Sequence, residues 1–98
     1  MTATAENLLT SSAIVPVQVL LEQYAISHPE IDSDEALEVQ LDLIERAYHF
    51  STLHHAGQIR KSGEPFMVHC TQVVLTLISL QLDAVTIAAG LLHDVVED

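Results

Sequence analysis

The stretch that most constrains this chain is its last eight residues, Leu91-Leu92-His93-Asp94-Val95-Val96-Glu97-Asp98. An apolar helical run ends here in a histidine and three acids. Residues four apart share a helix face, so Glu97 aligns with His93 and Asp98 with Asp94. Four metal ligands or proton carriers therefore crowd one helix end. Burying that many acids beside apolar neighbours is costly unless a cation sits among them. A divalent metal is the simplest candidate; the other reading of a bare His-Asp pair is a solvated surface pair.

The composition suits a helical setting. Of the 98 residues, 49% are hydrophobic and only 4% aromatic, so an aliphatic, helical core is expected. The length allows at most one small domain with a thin core. Three basic residues against fourteen acidic ones give a net charge of -11. That excludes general nucleic-acid binding, which needs basic surface, and is compatible with a cation site. The single cysteine, Cys70, cannot close an internal disulfide, which makes a reducing cytoplasm the default. No apolar run approaches the roughly 18 residues of a membrane span. The first residues lack Lys and Arg and include Glu6, unlike a secretory signal.

Residues Met1 to about Ala13 are small and polar and are expected to fray. Pro16 suits a first helical turn, and Val17, Leu20, Leu21 and Tyr24 follow at helical spacing. Ser27-His28-Pro29 ends that helix, with His28 expected to be solvated in the turn. Asp32 to Glu35 read as a capping pair, with the Asp32 carboxylate taking exposed amides. The next helix carries Leu37, Leu41, Ile44 and Tyr48 on one stripe, with Ala47, Phe50 and His54 beside it, and Gly57 stops it. His49, His54 and His55 are read as surface or packing histidines, because neighbouring helix positions point in different directions.

Two of the three basic residues, Arg60 and Lys61, are adjacent in the loop from Gly57 to Pro65. In so acidic a chain, an anion would be met there. Arg offers a planar fork for phosphate and a flat face for a base, and Lys a mobile point charge. A solvated loop with a helix-stopping glycine fits equally well. Pro65 can open a helix with Phe66, His69, Val73, Leu77 and Leu80 on an apolar stripe, so His69 is expected to point inward. Cys70, turned about 100° away, is expected to pack rather than ligate. Asp83 caps the last helix, with Ile87, Ala88, Leu91 and Leu92 inside. Its acidic end opposes the helix dipole, where Gly, Lys or Arg is preferred. The chain therefore reads as the front of a longer domain, and Val95 and Val96 as part of an unfinished apolar surface open to self-association.

Three segments carry a family resemblance: Ala47-Tyr48-His49-Phe50, the run His55-Ala56-Gly57-Gln58-Ile59-Arg60-Lys61-Ser62-Gly63-Glu64-Pro65-Phe66-Met67-Val68-His69, and Leu82 through Asp98. Over roughly residues 42–98 the chain resembles the hydrolase domain of the RelA/SpoT homologues, HD-superfamily proteins that make and degrade the alarmone (p)ppGpp. RKSGEP and HDVVED stand in the matching order and spacing. The resemblance implies an all-α, HD-domain-like helical bundle, present as its N-terminal part only. Residues 1–40 would be a variable leader with one or two helix starts, and 41–98 the truncated HD domain.

The implied activity is manganese-dependent removal of the 3′-diphosphate from (p)ppGpp, giving GDP or GTP and pyrophosphate. In such a domain His69, His93 and Asp94 would be metal ligands. Glu97 and Asp98 would activate or position the attacking water. Arg60, Lys61 and Ser62 would hold the nucleotide, with Arg60 against the guanine face. The chain departs from the family at Cys70, where proline is usual, and ends before the remaining metal-ligand aspartate. These 98 residues alone are therefore expected to bind metal weakly and to be inactive. Two other readings are an HD phosphohydrolase for another nucleotide, against which the RKSGEP loop argues, and a non-catalytic helical module. The latter predicts self-association and indifference to metals and nucleotides.

Overall fold

Prolines, a serine and an aspartate set the helix starts. In the computed structural model, residues 13–97 are described, apart from the side chains of Asp94, Val96 and Glu97. The fraying expected up to Ala13 thus falls, Ala13 aside, outside the described residues, as does Asp98. Pro16, at φ -63°, precedes α1 (Val17–Ser27) and Pro65, at φ -58°, precedes α3 (Phe66–Ser79). Proline fixes φ near these values and lacks an N–H that a first turn could not satisfy. Helix α2 (Asp34–His54) is capped by Ser33, whose Oγ accepts from the Ala36 N–H at 3.3 Å. The cap expected at Asp32 is thus one residue later, because a cap side chain must reach the second or third helical amide. Asp34 and Glu35 do occupy the positive first turn. Asp83 caps α4 (Ala84–Glu97) as expected, accepting from the Thr86 N–H at 2.8 Å.

The fold is all-α, with one isolated antiparallel bridge, Ile59 to Pro65, among the described residues. Helix α2 packs chiefly against α4, and α1 against α3. Their shared core contains Leu20 and Tyr24 of α1, Ile44 and Tyr48 of α2, Val74 and Ile78 of α3, and Ile87 and Leu91 of α4. Each such side chain taken out of water contributes about 1.5–3 kcal/mol. Val15 is tied in by its N–H, which donates to Thr71 Oγ1 at 3.0 Å, and by its carbonyl, which accepts from the Tyr48 hydroxyl at 3.0 Å.

Two expectations are corrected. Helix α3 buries Met67, Cys70, Thr71, Val74 and Ile78, while His69 and Leu80 are exposed and Val73 is 37% exposed. Apolar residues occupy most of this helix's circumference, so two stripes compete. The one containing Thr71 faces the core, where Thr71 Oγ1 accepts from the Val15 N–H at 3.0 Å while its hydroxyl donates back to the Met67 carbonyl at 2.8 Å. Cys70 packs, as expected. His28 is not solvated but 6% exposed. Its ring stacks on Tyr24 at 4.0 Å, and its nitrogens lie 2.9 Å from the carbonyls of Tyr24 and Leu82. The turn after α1 is covered by the α3–α4 connection, a long-range packing event that local turn chemistry does not report.

Candidate metal and phosphate site

The Arg60 loop is a built hairpin. The Ile59–Pro65 bridge closes its neck, with the Phe66 N–H donating to the Gln58 carbonyl at 3.0 Å. At its tip the Arg60 N–H donates to Glu64 O at 2.9 Å and the Gly63 N–H to Arg60 O at 2.8 Å. Gly63 has φ +93°, the left-handed conformation that ends a three-residue hairpin loop. Arg60, Lys61 and Ser62 are all exposed at this tip. Neither cation makes a salt bridge among the described residues, whereas Arg46 lies 3.8 Å from Asp42. The loop therefore presents two uncommitted positive charges to an anion.

The metal candidates come from α3 and α4. The connection between these helices is only four residues, Leu80 to Asp83, so the chain turns back on itself. At Gly90 the helices approach closely: a Cβ there would stand 3.1 Å from Leu77 Cδ1 and 3.9 Å from Val74 Cγ2. From that crossing His93 lies about 4.5 Å onward along α4, and His69 about 7.5–12 Å back along α3, counted from Val74 and Leu77. Both imidazoles thus lie toward the same end of the helix pair, and both are exposed.

His93 Nδ1 stands 2.7 Å from the Gly90 carbonyl. That oxygen can only accept, so Nδ1 carries a proton; in a neutral ring so protonated, Nε2 is the nitrogen that a metal ligand uses. The donor chemistry at this end therefore suits a divalent cation. Among the described residues no group of three or more His, Cys, Asp or Glu side chains could hold a metal ion. Asp94 and Glu97 continue α4, but their side chains, like Asp98, lie outside the described residues. The described candidates are therefore two imidazoles and a cationic hairpin. His49 and His54 are exposed on α2.

His55, read from sequence with the surface or packing histidines, is 2% exposed and packs at the root of the hairpin. Its Nδ1–H donates to Gln58 Oε1 at 2.7 Å, and its ring stacks on Phe66 at 4.0 Å. In sequence it is marked by its place at the end of α2, where it is the C-cap, and as the first residue of the run that leads into the hairpin.

The family model described as HD domain matches residues 47–98, more than half of the chain. The chain belongs to the HD domain family. Its resemblance to RelA/SpoT-type proteins is borne out as well. A protein named GTP pyrophosphokinase from Myxococcus xanthus is 46% identical over 71 residues, which are 72% of this chain and 9% of that protein. One from Aquifex aeolicus, named guanosine-3′,5′-bis(diphosphate) 3′-pyrophosphohydrolase, is 49% identical over 55 residues, 56% of this chain and 8% of that protein. A bifunctional (p)ppGpp synthase/hydrolase from Mycobacterium tuberculosis is 38% identical over 79 residues, 81% of this chain and 10% of that protein. The chain thus spans about a tenth of the length of the curated relatives it matches.

Proposed function

We propose that this HD domain segment belongs to a manganese-dependent (p)ppGpp 3′-pyrophosphohydrolase. The observation that carries the reading is the cationic hairpin built next to the helix whose first turn leads to His69, with His93 held in a metal-binding tautomer at the same helix end. The names of the relatives supply the substrate. His69, His93 and Asp94 hold the metal, a mixed imidazole and carboxylate set that suits manganese or a similar divalent ion. When bound, such an ion supplies charge neutralisation at phosphate oxygens and acidifies water.

The chain's own residues do the rest. Arg60 and Lys61 neutralise the substrate's phosphates, Arg60 also lying against the guanine, and Ser62 donates its hydroxyl. Water attacks the phosphorus bonded to the ribose 3′ oxygen, that P–O bond breaks, and pyrophosphate leaves. Glu97 or Asp98 accepts the proton of the attacking water. A cytoplasmic setting agrees with the single buried thiol, Cys70, and no helix among the described residues is long and apolar enough to cross a membrane. Exposed Val39, Leu53 and Val85 support self-association of the isolated chain.

The test is manganese-dependent release of pyrophosphate from ppGpp. It is run on the 98 residues alone and on a chimera in which they replace the matching residues of the Aquifex aeolicus relative. Hydrolysis by the chimera, lost with His93→Ala, is the expected result. A chimera that folds, binds manganese and leaves ppGpp intact overturns the reading.

A further inference from the structure

We infer that His55 is a positioning residue: one buried imidazole fixes the Arg60-Lys61-Ser62 tip relative to the first turn of α3, and so relative to His69. The inference rests on the nucleotide-binding reading of that tip. His55 directly follows α2, and its N–H donates to the Ser51 carbonyl at 2.9 Å, so the ring is carried on the end of a rigid helix. On one side it grips the strand entering the hairpin. Nδ1–H donates to Gln58 Oε1 at 2.7 Å, while the Gln58 N–H donates to the His55 carbonyl at 3.0 Å. On the other side it grips the strand leaving the hairpin, through the Phe66 ring at 4.0 Å and an interplanar angle of 22°.

Gln58 and Phe66 flank the Ile59–Pro65 neck and are hydrogen-bonded to each other. Both legs of the hairpin therefore meet at one ring that is 2% exposed. Phe66 opens α3 and lies three residues, about one turn, before His69. The same stack thus sets the height of the turn that carries His69. A phenyl ring could stack but not donate, and an asparagine could donate but not stack. Of these three only the imidazole does both, so the two replacements separate bracing from packing.

Amide hydrogen exchange on the 98-residue protein tests this with His55→Phe, His55→Asn and Gln58→Glu. Both His55 variants are expected to speed exchange at Arg60, Gly63 and Phe66 by about tenfold or more, with the interior amides of α2 and α4 unchanged. Gln58→Glu keeps the acceptor and is expected to exchange like the wild type. In the Aquifex chimera, His55→Phe is expected to raise KM for ppGpp about tenfold while kcat stays within about threefold, because binding geometry rather than the reacting groups is disturbed. Exchange that rises evenly over all helices, or a tip that exchanges as in the wild type, overturns the inference and leaves His55 as packing alone. A wild-type chimera without hydrolysis, together with the expected exchange pattern, overturns the nucleotide reading and upholds the His55 brace.

Discussion

The buried histidines and the exposed ones make the most informative contrast in this molecule. His28 and His55 are nearly sealed from water, each stacked on an aromatic ring, with the His28 nitrogens lying 2.9 Å from two backbone carbonyls and His55 hydrogen-bonded to a glutamine. His69 and His93 are exposed at one end of the α3–α4 pair, and His93 Nδ1 is turned to the Gly90 carbonyl. The same side chain serves as a rigid polar brace in one region and as a ligand candidate in the other. Burial, not residue type, separates the roles. A histidine buried and stacked within the fold holds structure, and one held at the rim by its Nδ1 side can offer Nε2 to a metal.

The sharpest way to break this contrast is to exchange the two kinds of loss. His69→Ala and His93→Ala in the chimera are expected to lower hydrolysis at least about a hundredfold, a range that even the outer-shell partners of metal ligands reach. Neither should shift the thermal midpoint. His28→Ala should do the opposite. Losing the buried, stacked ring and its hydrogen bond to a backbone carbonyl costs roughly 2–3 kcal/mol of stability, read as a lower urea midpoint, with hydrolysis unchanged below the transition. Stability falling in the first pair and holding in the second would invert the assignment.

Smaller effects refine it. Gly63→Val places a branched residue at φ +93°, a strain of about 1–2 kcal/mol confined to the hairpin. Nucleotide affinity should fall while the helices keep their denaturation midpoint, as calorimetry and circular dichroism would show.

The smallest effects come from pH. Burial pushes the Tyr24 and Tyr48 hydroxyls above their ordinary value of 10.0. Their raised folded-state values mean a contribution fully present below pH 10.0 and lost as pH rises through the folded values. The Asp83 carboxyl is held below its ordinary 3.8, first by the Thr86 backbone N–H and then by the Thr86 hydroxyl. Its contribution is present above pH 3.8 and disappears as pH falls through the lowered value. Urea midpoints measured across both ranges check the two signs, with Asp83→Asn expected to flatten the acid limb.

Much of the fold was legible because it is written in local chemistry. Pro16, Pro65 and Asp83 mark helix starts through fixed φ and a capping carboxylate, and the structure uses all three. The site's parts were legible too, since RKSGEP and the His-Asp pair are contiguous. What could not be read is which way an almost wholly apolar helix turns. Periodicity placed His69 inward on the stripe through Val73 and Leu77. The choice was made instead by Thr71, whose hydroxyl meets Val15 from a distant part of the chain. The sequence reads His28 as solvated and leaves His55 between surface and packing for the same reason: their partners Leu82 and Phe66 belong to later segments.

The most direct test is a manganese titration of the chimera, following the electron paramagnetic resonance of the free ion, with each histidine of this chain except His55 changed to alanine in turn. The account predicts that His69→Ala and His93→Ala weaken binding by about tenfold or more, and that His28→Ala, His49→Ala and His54→Ala leave it as in the wild type. Equal binding by all five variants would contradict it.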